Sequence, residues 1–253
     1  MQTANFDLSD RVAIVTGGSR GLGRAIAEGF AAAGAAVVVA SRKAEACDEV
    51  VESIRSAGGR ALSVPTHVGR PEQITALVDR VVAELGGIDI VVNNAANPLG
   101  GAVATIEPSA FDAAFRTNVQ GPLLLGAAAL PHLKASARGS VINVITVGAF
   151  AGAEYLGLYT ATKAALWNLT RTMAKEWGRH GVRVNAIAPG PFDTDMMAPT
   201  LDVPEFHQGI LDATILGRIA EPSEVVGPAL LLASDAGSYM TGSCIVVDGG
   251  TVA

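Results

Sequence analysis

The chain has 253 residues, a net charge of −6, and 49% apolar against 17% charged residues, which suits one domain built on a buried sheet and excludes a disordered or coiled chain. Lysine and arginine are scattered, so no basic face is expected for nucleic acid. The longest apolar stretch, Phe30 to Ala40, falls short of the roughly 20 residues that cross a bilayer, so no membrane partner is expected.

Met1 to Asp10 lacks the basic start and apolar centre of an export signal, and a cytoplasmic location is expected. Cys47 and Cys244 are too few and too far apart for a disulfide framework or a metal site, so both should pack as small apolar residues. No metal is expected.

In chain order, Val12 to Val15, Val37 to Val39, Ala61 to Val64, Ile88 to Val92, Val141 to Ile145, Val182 to Ile187 and Ile245 to Val247 read as strands. Ala-rich amphipathic segments of helical length lie between them. This alternation predicts an α/β fold, a single Rossmann-type doubly wound parallel sheet of seven strands with helices on both faces. Helices are expected from Pro108 to Leu133 and from Tyr155 to Trp177. The interval from Pro189 to Thr214 is long and contains prolines, and an interval of that kind is usually functional or mobile.

Thr16 to Gly23, with the spacing TGxxxGxG, follows the first strand and opens a helix. Gly17, Gly21 and Gly23 permit a tight turn with close backbone approach, so the N–H groups around Ser19, Arg20 and Leu22 can face a pyrophosphate at the helix N-terminus. The second strand ends at Ser41 and Arg42, where an Asp or Glu would receive the ribose hydroxyls of NAD. Ser41 removes the carboxylate that would repel a 2′-phosphate, and Arg42 offers it a forked donor. Arg20 can approach the same phosphate, so NADP(H) is the expected cofactor. Further along, Tyr159 and Lys163 stand one turn apart on one helix face. The cation is expected to lower the Tyr159 pKa, so that the phenol can exchange a proton with a carbinol or carbonyl oxygen.

With these motifs in order, the chain resembles the short-chain dehydrogenase/reductase family from Arg11 to Gly250. The marks are the TGGSRGLG loop, Asn93-Asn94-Ala95-Ala96, Asn118, the YTATK segment, Pro189-Gly190 with Thr194, and Val247-Asp248-Gly249-Gly250. The resemblance implies Tyr159 as general acid or base, and Lys163 holding the nicotinamide ribose while tuning Tyr159. It also implies that Asn118, in a central helix, orders a water in the proton path, and that Asn94, Ala95, Pro189, Gly190, Phe192 and Thr194 border the cofactor. Thr146 stands where the family carries a Ser, which keeps the hydroxyl but narrows the site. Ala96 replaces a usual Gly. His67 replaces a common Asp near adenine, where adenine contact is expected, and His67-Val68-Gly69 together with Asn94-Ala95-Ala96-Asn97-Pro98 resembles the NADPH-dependent carbonyl reductase branch.

A small carbonyl or alcohol compound, apolar in character, is the expected substrate, and residues 191–216 form a lid carrying Met196, Met197, Phe206, Ile210 and Leu211. The residues serve reduction and alcohol oxidation alike. A β-ketoacyl-thioester reductase shares the same Tyr and Lys, although Lys134 with Arg138 is a thin docking patch for an acyl carrier. A non-catalytic NADP(H) sensor or scaffold is the alternative from another class. An enoyl-thioester reductase would space its Tyr and Lys seven apart, and residue 156 is Leu. In relatives the two long apolar helices and the C-terminal segment pair across two-fold axes, which implies a homotetramer, with a dimer as runner-up.

Overall fold

The seven expected runs become strands in a computed structural model that describes residues 5–253. They are β1 (Val12–Thr16), β2 (Ala36–Ala40), β3 (Arg60–Ser63), β4 (Ile90–Asn93), β5 (Ser140–Val144), β6 (Arg183–Pro189) and β7 (Cys244–Val247). They form one sheet in the order β3-β2-β1-β4-β5-β6-β7, and every neighbouring pair is parallel. The chain leaves β1 for β2 and β3 on one side and returns to β4 on the other. This reversal opens a crevice at the strands' C-terminal ends, where doubly wound sheets bind ligands.

Successive residues of each inner strand point to opposite faces, and both faces are covered. Ala13, Val15, Val37 and Val39 pack against α1 (Gly21–Ala32), α2 (Ala44–Ser56) and α9 (Val226–Ala233) through Phe30, Ile54 and Leu232. Val12, Ile14, Ala36 and Val38 pack against α3 (Pro71–Leu85), α5 (Gly121–Ala135) and α6 (Gly157–Trp177) through Leu77, Leu125 and Trp177. Phe30 is wholly buried, and truncating such a side chain to alanine costs about 3–5 kcal/mol.

Two expected helices differ in detail. The run from Pro108 is α4 (Pro108–Phe115), then a π turn over Arg116–Gln120, then α5. Pro122 has no N–H to give the carbonyl of residue 118, and the Gly121 N–H reaches back five residues to the Arg116 carbonyl. The second helix starts at Gly157, because Tyr155 has φ +58° and cannot continue a right-handed turn. The long interval after β6 holds the short helices α7 (Ala198–Leu201) and α8 (Pro204–Ala213).

Candidate active site

The loop between β1 and α1 is built as its glycines require. Gly17 has φ +63°, and a Cβ there would lie 2.8 Å from Asn94 Nδ2. At Gly23 a Cβ would come within 2.2 Å of the Gly17 carbonyl. Asn94 holds the turn, donating from Nδ2 to the carbonyls of Thr16 at 3.0 Å and Gly17 at 3.2 Å. Thr16, which the sequence reading left unassigned, is the other staple: its Oγ1 donates to the Val92 carbonyl and accepts the Asn94 and Ala95 N–H groups. The sequence signal was the Thr that opens the TG pair. Arg20, at the N-cap of α1, makes no side-chain cap, and no acid stands in the helix's first turn. These first-turn N–H groups therefore suit an incoming phosphate.

At the adenosine end, Ser19 Oγ donates to Ser41 Oγ at 2.9 Å and ties the glycine loop to the end of β2. Arg42 is exposed beside it. Arg20 lies instead within 3.5 Å of Asp195 in the segment that follows β6, with both side chains largely exposed. His67 is half-buried, and its Nδ1 accepts the Gly69 N–H at 3.0 Å, so the other ring nitrogen carries the proton. Its backbone N–H donates to Gln73 Oε1. Val68 is buried next to Gly121.

Tyr159 and Lys163 share one face of α6, with Lys163 Nζ 5.7 Å from the centre of the Tyr159 ring. Lys163 is 1% exposed, and its ammonium donates to the Val144 carbonyl at 2.7 Å. Burial holds that ammonium down to about 8. The same cause pushes the half-buried Tyr159 phenol up to about 12. This corrects the sequence expectation that a cation four residues away lowers the tyrosine pKa: burial of the phenol is the cause that acts, and it raises the pKa.

Asn118 lies in the π turn rather than in a regular helix, and it is wholly buried. Its Oδ1 accepts the Asn97 N–H at 2.7 Å, and its Nδ2 donates to the Asn97 carbonyl at 3.0 Å and to Thr162 Oγ1 at 2.9 Å. The side chain is thus spent on tying the loop after β4 to the helix of Tyr159. Asn97 and Thr162 lie within motifs legible in the sequence, but nothing there points to this contact. Thr146 ends the extended stretch after β5, and its Oγ1 makes only long bonds, 3.5 Å to the Pro189 carbonyl and 3.4 Å from the Gly148 N–H.

Gly190 passes so close to β7 that a Cβ would sit 2.6 Å from Asp248 Cβ. Phe192 is 2% exposed and joins the core beneath the glycine loop. Thr194 meets Gly21 across the crevice, 3.3 Å from where a Cβ would lie. Of the apolar residues in the expected lid, Met196 and Phe206 are exposed while Met197, Ile210 and Leu211 are half-buried. Cys47 is buried, Cys244 is half-buried, and both are free thiols. Among the described residues no group of three or more His, Cys, Asp or Glu side chains could hold a metal ion, and no helix is long and apolar enough to cross a membrane.

Comparison with known proteins agrees with this geometry. Residues 17–252 match the family model described as enoyl-(acyl carrier protein) reductase. The 4-formylbenzenesulfonate dehydrogenase of Comamonas testosteroni is 38% identical, over 97% of this chain and 99% of its own. A gluconate 5-dehydrogenase from Burkholderia cenocepacia, solved with NADP and tartrate, has a TM-score of 0.94 at 33% identity, covering 98% of this chain and 97% of that one. A 7α-hydroxysteroid dehydrogenase solved with NADH and 7-oxo glycochenodeoxycholic acid has a TM-score of 0.95 at 32% identity, covering 99% and 97%. With the motifs, the sheet order and near full-length relatives in agreement, the chain belongs to the short-chain dehydrogenase/reductase family and is an oxidoreductase acting at a CH–OH or C=O group rather than a non-catalytic sensor.

Proposed function

We propose that this enzyme uses NADP(H) and reduces a ketone or aldehyde, with Tyr159 donating the proton. The observation that carries the reading is the Tyr159–Lys163 pair, set at the C-terminal ends of β4, β5 and β6 with the lysine anchored on the Val144 carbonyl. When bound, the cofactor supplies or receives a hydride. The uncapped N-terminus of α1 and the Gly17–Gly23 loop fit its pyrophosphate. Ser41 and Arg42 suit a 2′-phosphate and give the ribose no carboxylate.

A phenol pushed up to about 12 stays protonated near neutral pH, which is the state of a proton donor to a carbonyl oxygen. Thr146, whose hydroxyl is only loosely engaged, can donate to the same oxygen. Lys163 holds the proton supply next to Tyr159 and orients the ribose. Asn118 positions the loop after β4, and the carbonyl it presents one turn before Pro122 is the acceptor available to a water in the proton path. Pro189, Gly190, Phe192 and Thr194 form the wall on the nicotinamide side, and His67 and Val68 border the adenine.

Residues 191–216 act as the lid, bringing Met196 and Phe206 over an apolar substrate and excluding water. The assembly is a homotetramer, supported by a groove of about 400 Å³ along α4 and α5 that Phe115, Val119 and Leu123 line, and by exposed Tyr239 and Val246 near the C-terminus. Light scattering checks it, with a fully active monomer as the refuting result. The location is cytoplasmic. Spectrophotometric turnover with NADPH and NADH against ketones, aldehydes, ketoacyl thioesters and quinones tests the activity. Carbonyl reduction with NADPH is the expected result, and binding without turnover across the whole panel refutes it.

A further inference from the structure

Three loops follow the adjacent strands β4, β5 and β6 at the C-terminal edge of the sheet: residues 94–105, 146–158 and 190–217. They are joined to one another. The Gly101 N–H donates to the Tyr155 carbonyl at 2.6 Å, and Thr146 Oγ1 reaches the Pro189 carbonyl. The second loop runs directly into the turn of α6 that carries Tyr159, so a substrate reaching that phenol passes between these segments.

Their charge is one-sided. None of the three contains a lysine or an arginine, whereas Glu154, Asp193, Asp195, Asp202, Glu205 and Asp212 are all exposed. The neighbouring cations are already engaged, and only Arg20 is engaged by these loops, where it offsets one of the six carboxylates. Arg20 faces Asp195, Arg218 makes a two-pronged pair with Glu224 at 2.7 Å, and Lys163 is buried against Val144. The same loops expose Val103, Phe150, Tyr155, Leu156, Met196 and Phe206, each between 42% and 72% accessible. Arg42 and Lys43, in contrast, stand at the end of β2 where the adenosine phosphate would lie. The crevice is therefore positive at its cofactor end and negative with apolar walls at its substrate end.

We propose that the site takes an uncharged, largely apolar carbonyl compound and selects against carboxylates, sulfonates and phosphates. This rests on the reading of Tyr159 as proton donor to a carbonyl. An anion entering between these loops would leave water for a field of like sign and find no free counter-charge, whereas a neutral compound gives up apolar hydration that the exposed side chains replace and the hydration of a carbonyl oxygen that meets the Tyr159 phenol. Carboxylates at the rim act as the rejecting element, and the apolar walls supply affinity.

The test uses matched pairs with NADPH that differ in charge and one methyl group: methyl 4-formylbenzoate against 4-formylbenzoate, and methyl 4-oxocyclohexanecarboxylate against its free acid. The ester of each pair is expected to have a kcat/KM at least about tenfold higher at low salt, with the gap narrowing as salt is added. The double variant Asp202→Lys/Glu205→Lys, on the lid, should narrow the ratio of ester to acid kcat/KM in each pair, and a ratio that stays at the parent's value counts against the rim carboxylates as the rejecting element. Equal turnover of acid and ester, or a preference for the acid, overturns the inference while leaving Tyr159 in its role. Failure of all four compounds with NADPH bound overturns the carbonyl-reductase reading and this inference with it.

Discussion

Replacing Asn118 by alanine tests whether the buried amide frames the active site. The amide makes three hydrogen bonds, two to the Asn97 backbone and one to Thr162 Oγ1, and a typical intramolecular hydrogen bond contributes about 1 kcal/mol net. Their loss should therefore cost about 3 kcal/mol, which for a chain of this length lowers Tm by roughly 6–12 °C. Thr162→Val removes one of the three together with the bond from Thr162 Oγ1 to the Tyr159 carbonyl at 2.7 Å, and should cost about 2 kcal/mol. The kinetic effect should exceed the thermal one in importance. Asn97 follows the Asn94 and Ala95 pair that fixes the glycine loop, and Thr162 immediately precedes Lys163, so loosening this joint shifts cofactor and proton donor relative to each other. A misplacement of about 1 Å can cost about a hundredfold in rate. Calorimetry on both variants, with kcat measured at saturating NADPH and substrate, reads the two effects separately. If Asn118→Ala melts within about 2 °C of the parent, a span that corresponds to less than one such bond, and keeps its kcat, the framing role is wrong.

Other variants probe separate parts of the site. Tyr159→Phe should lower kcat by at least about a hundredfold while NADPH affinity, read by fluorescence titration, stays nearly intact, and near-normal turnover would sink the assignment. Ser41→Asp combined with Arg42→Ala should move the preference toward NADH, since it restores a ribose acceptor and removes a phosphate donor; a parent enzyme that already binds NADH more tightly than NADPH refutes the reasoning. Tyr155→Asn keeps a side chain that tolerates φ +58° and should raise stability by about 1 kcal/mol, measured by urea unfolding. An unchanged or lower stability would mean that Tyr155 carries no backbone strain.

The sheet was legible because the inner strands are short runs rich in β-branched residues flanked by residues that suit turns or helix starts, and because both their faces are buried, so the runs are continuous rather than alternating. The Gly loop and the one-turn spacing of Tyr159 and Lys163 are local patterns and could be read directly. What could not be read is tertiary. Asn118 meets Thr162 across 44 residues of chain, and nothing local distinguishes that asparagine from an exposed one. The π turn follows from Pro122 only once Asn118 must face inward. Arg20 looks like a phosphate ligand by position, yet its partner here is Asp195 on a segment that follows the sixth strand. The Tyr159 shift was misjudged for the same reason: spacing reveals the neighbouring charge, while burial depends on everything packed around it.

The pH dependence of stability should expose that burial directly. The Lys163 ammonium is held down to about 8 from 10.5. Between these values the unfolded chain binds a proton that the folded chain does not, so stability should rise with pH across that window. The Tyr159 phenol is pushed up to about 12 from 10, and there the folded chain keeps a proton that the unfolded chain has lost, so stability should fall above about 10. Lys163→Met removes the first contribution and leaves the second. At neutral pH the variant is spared a charge with no carboxylate beside it and should be the more stable protein, even though it is inactive. As pH rises from about 8 towards 10, the parent gains stability that the variant cannot, and the difference should shrink by an amount on the order of 3 kcal/mol at most. Urea unfolding of both proteins at a series of pH values reads this difference. A gap that stays constant across the window would mean that the lysine titrates in the folded protein as it does in water, and the burial argument for both side chains would fail together.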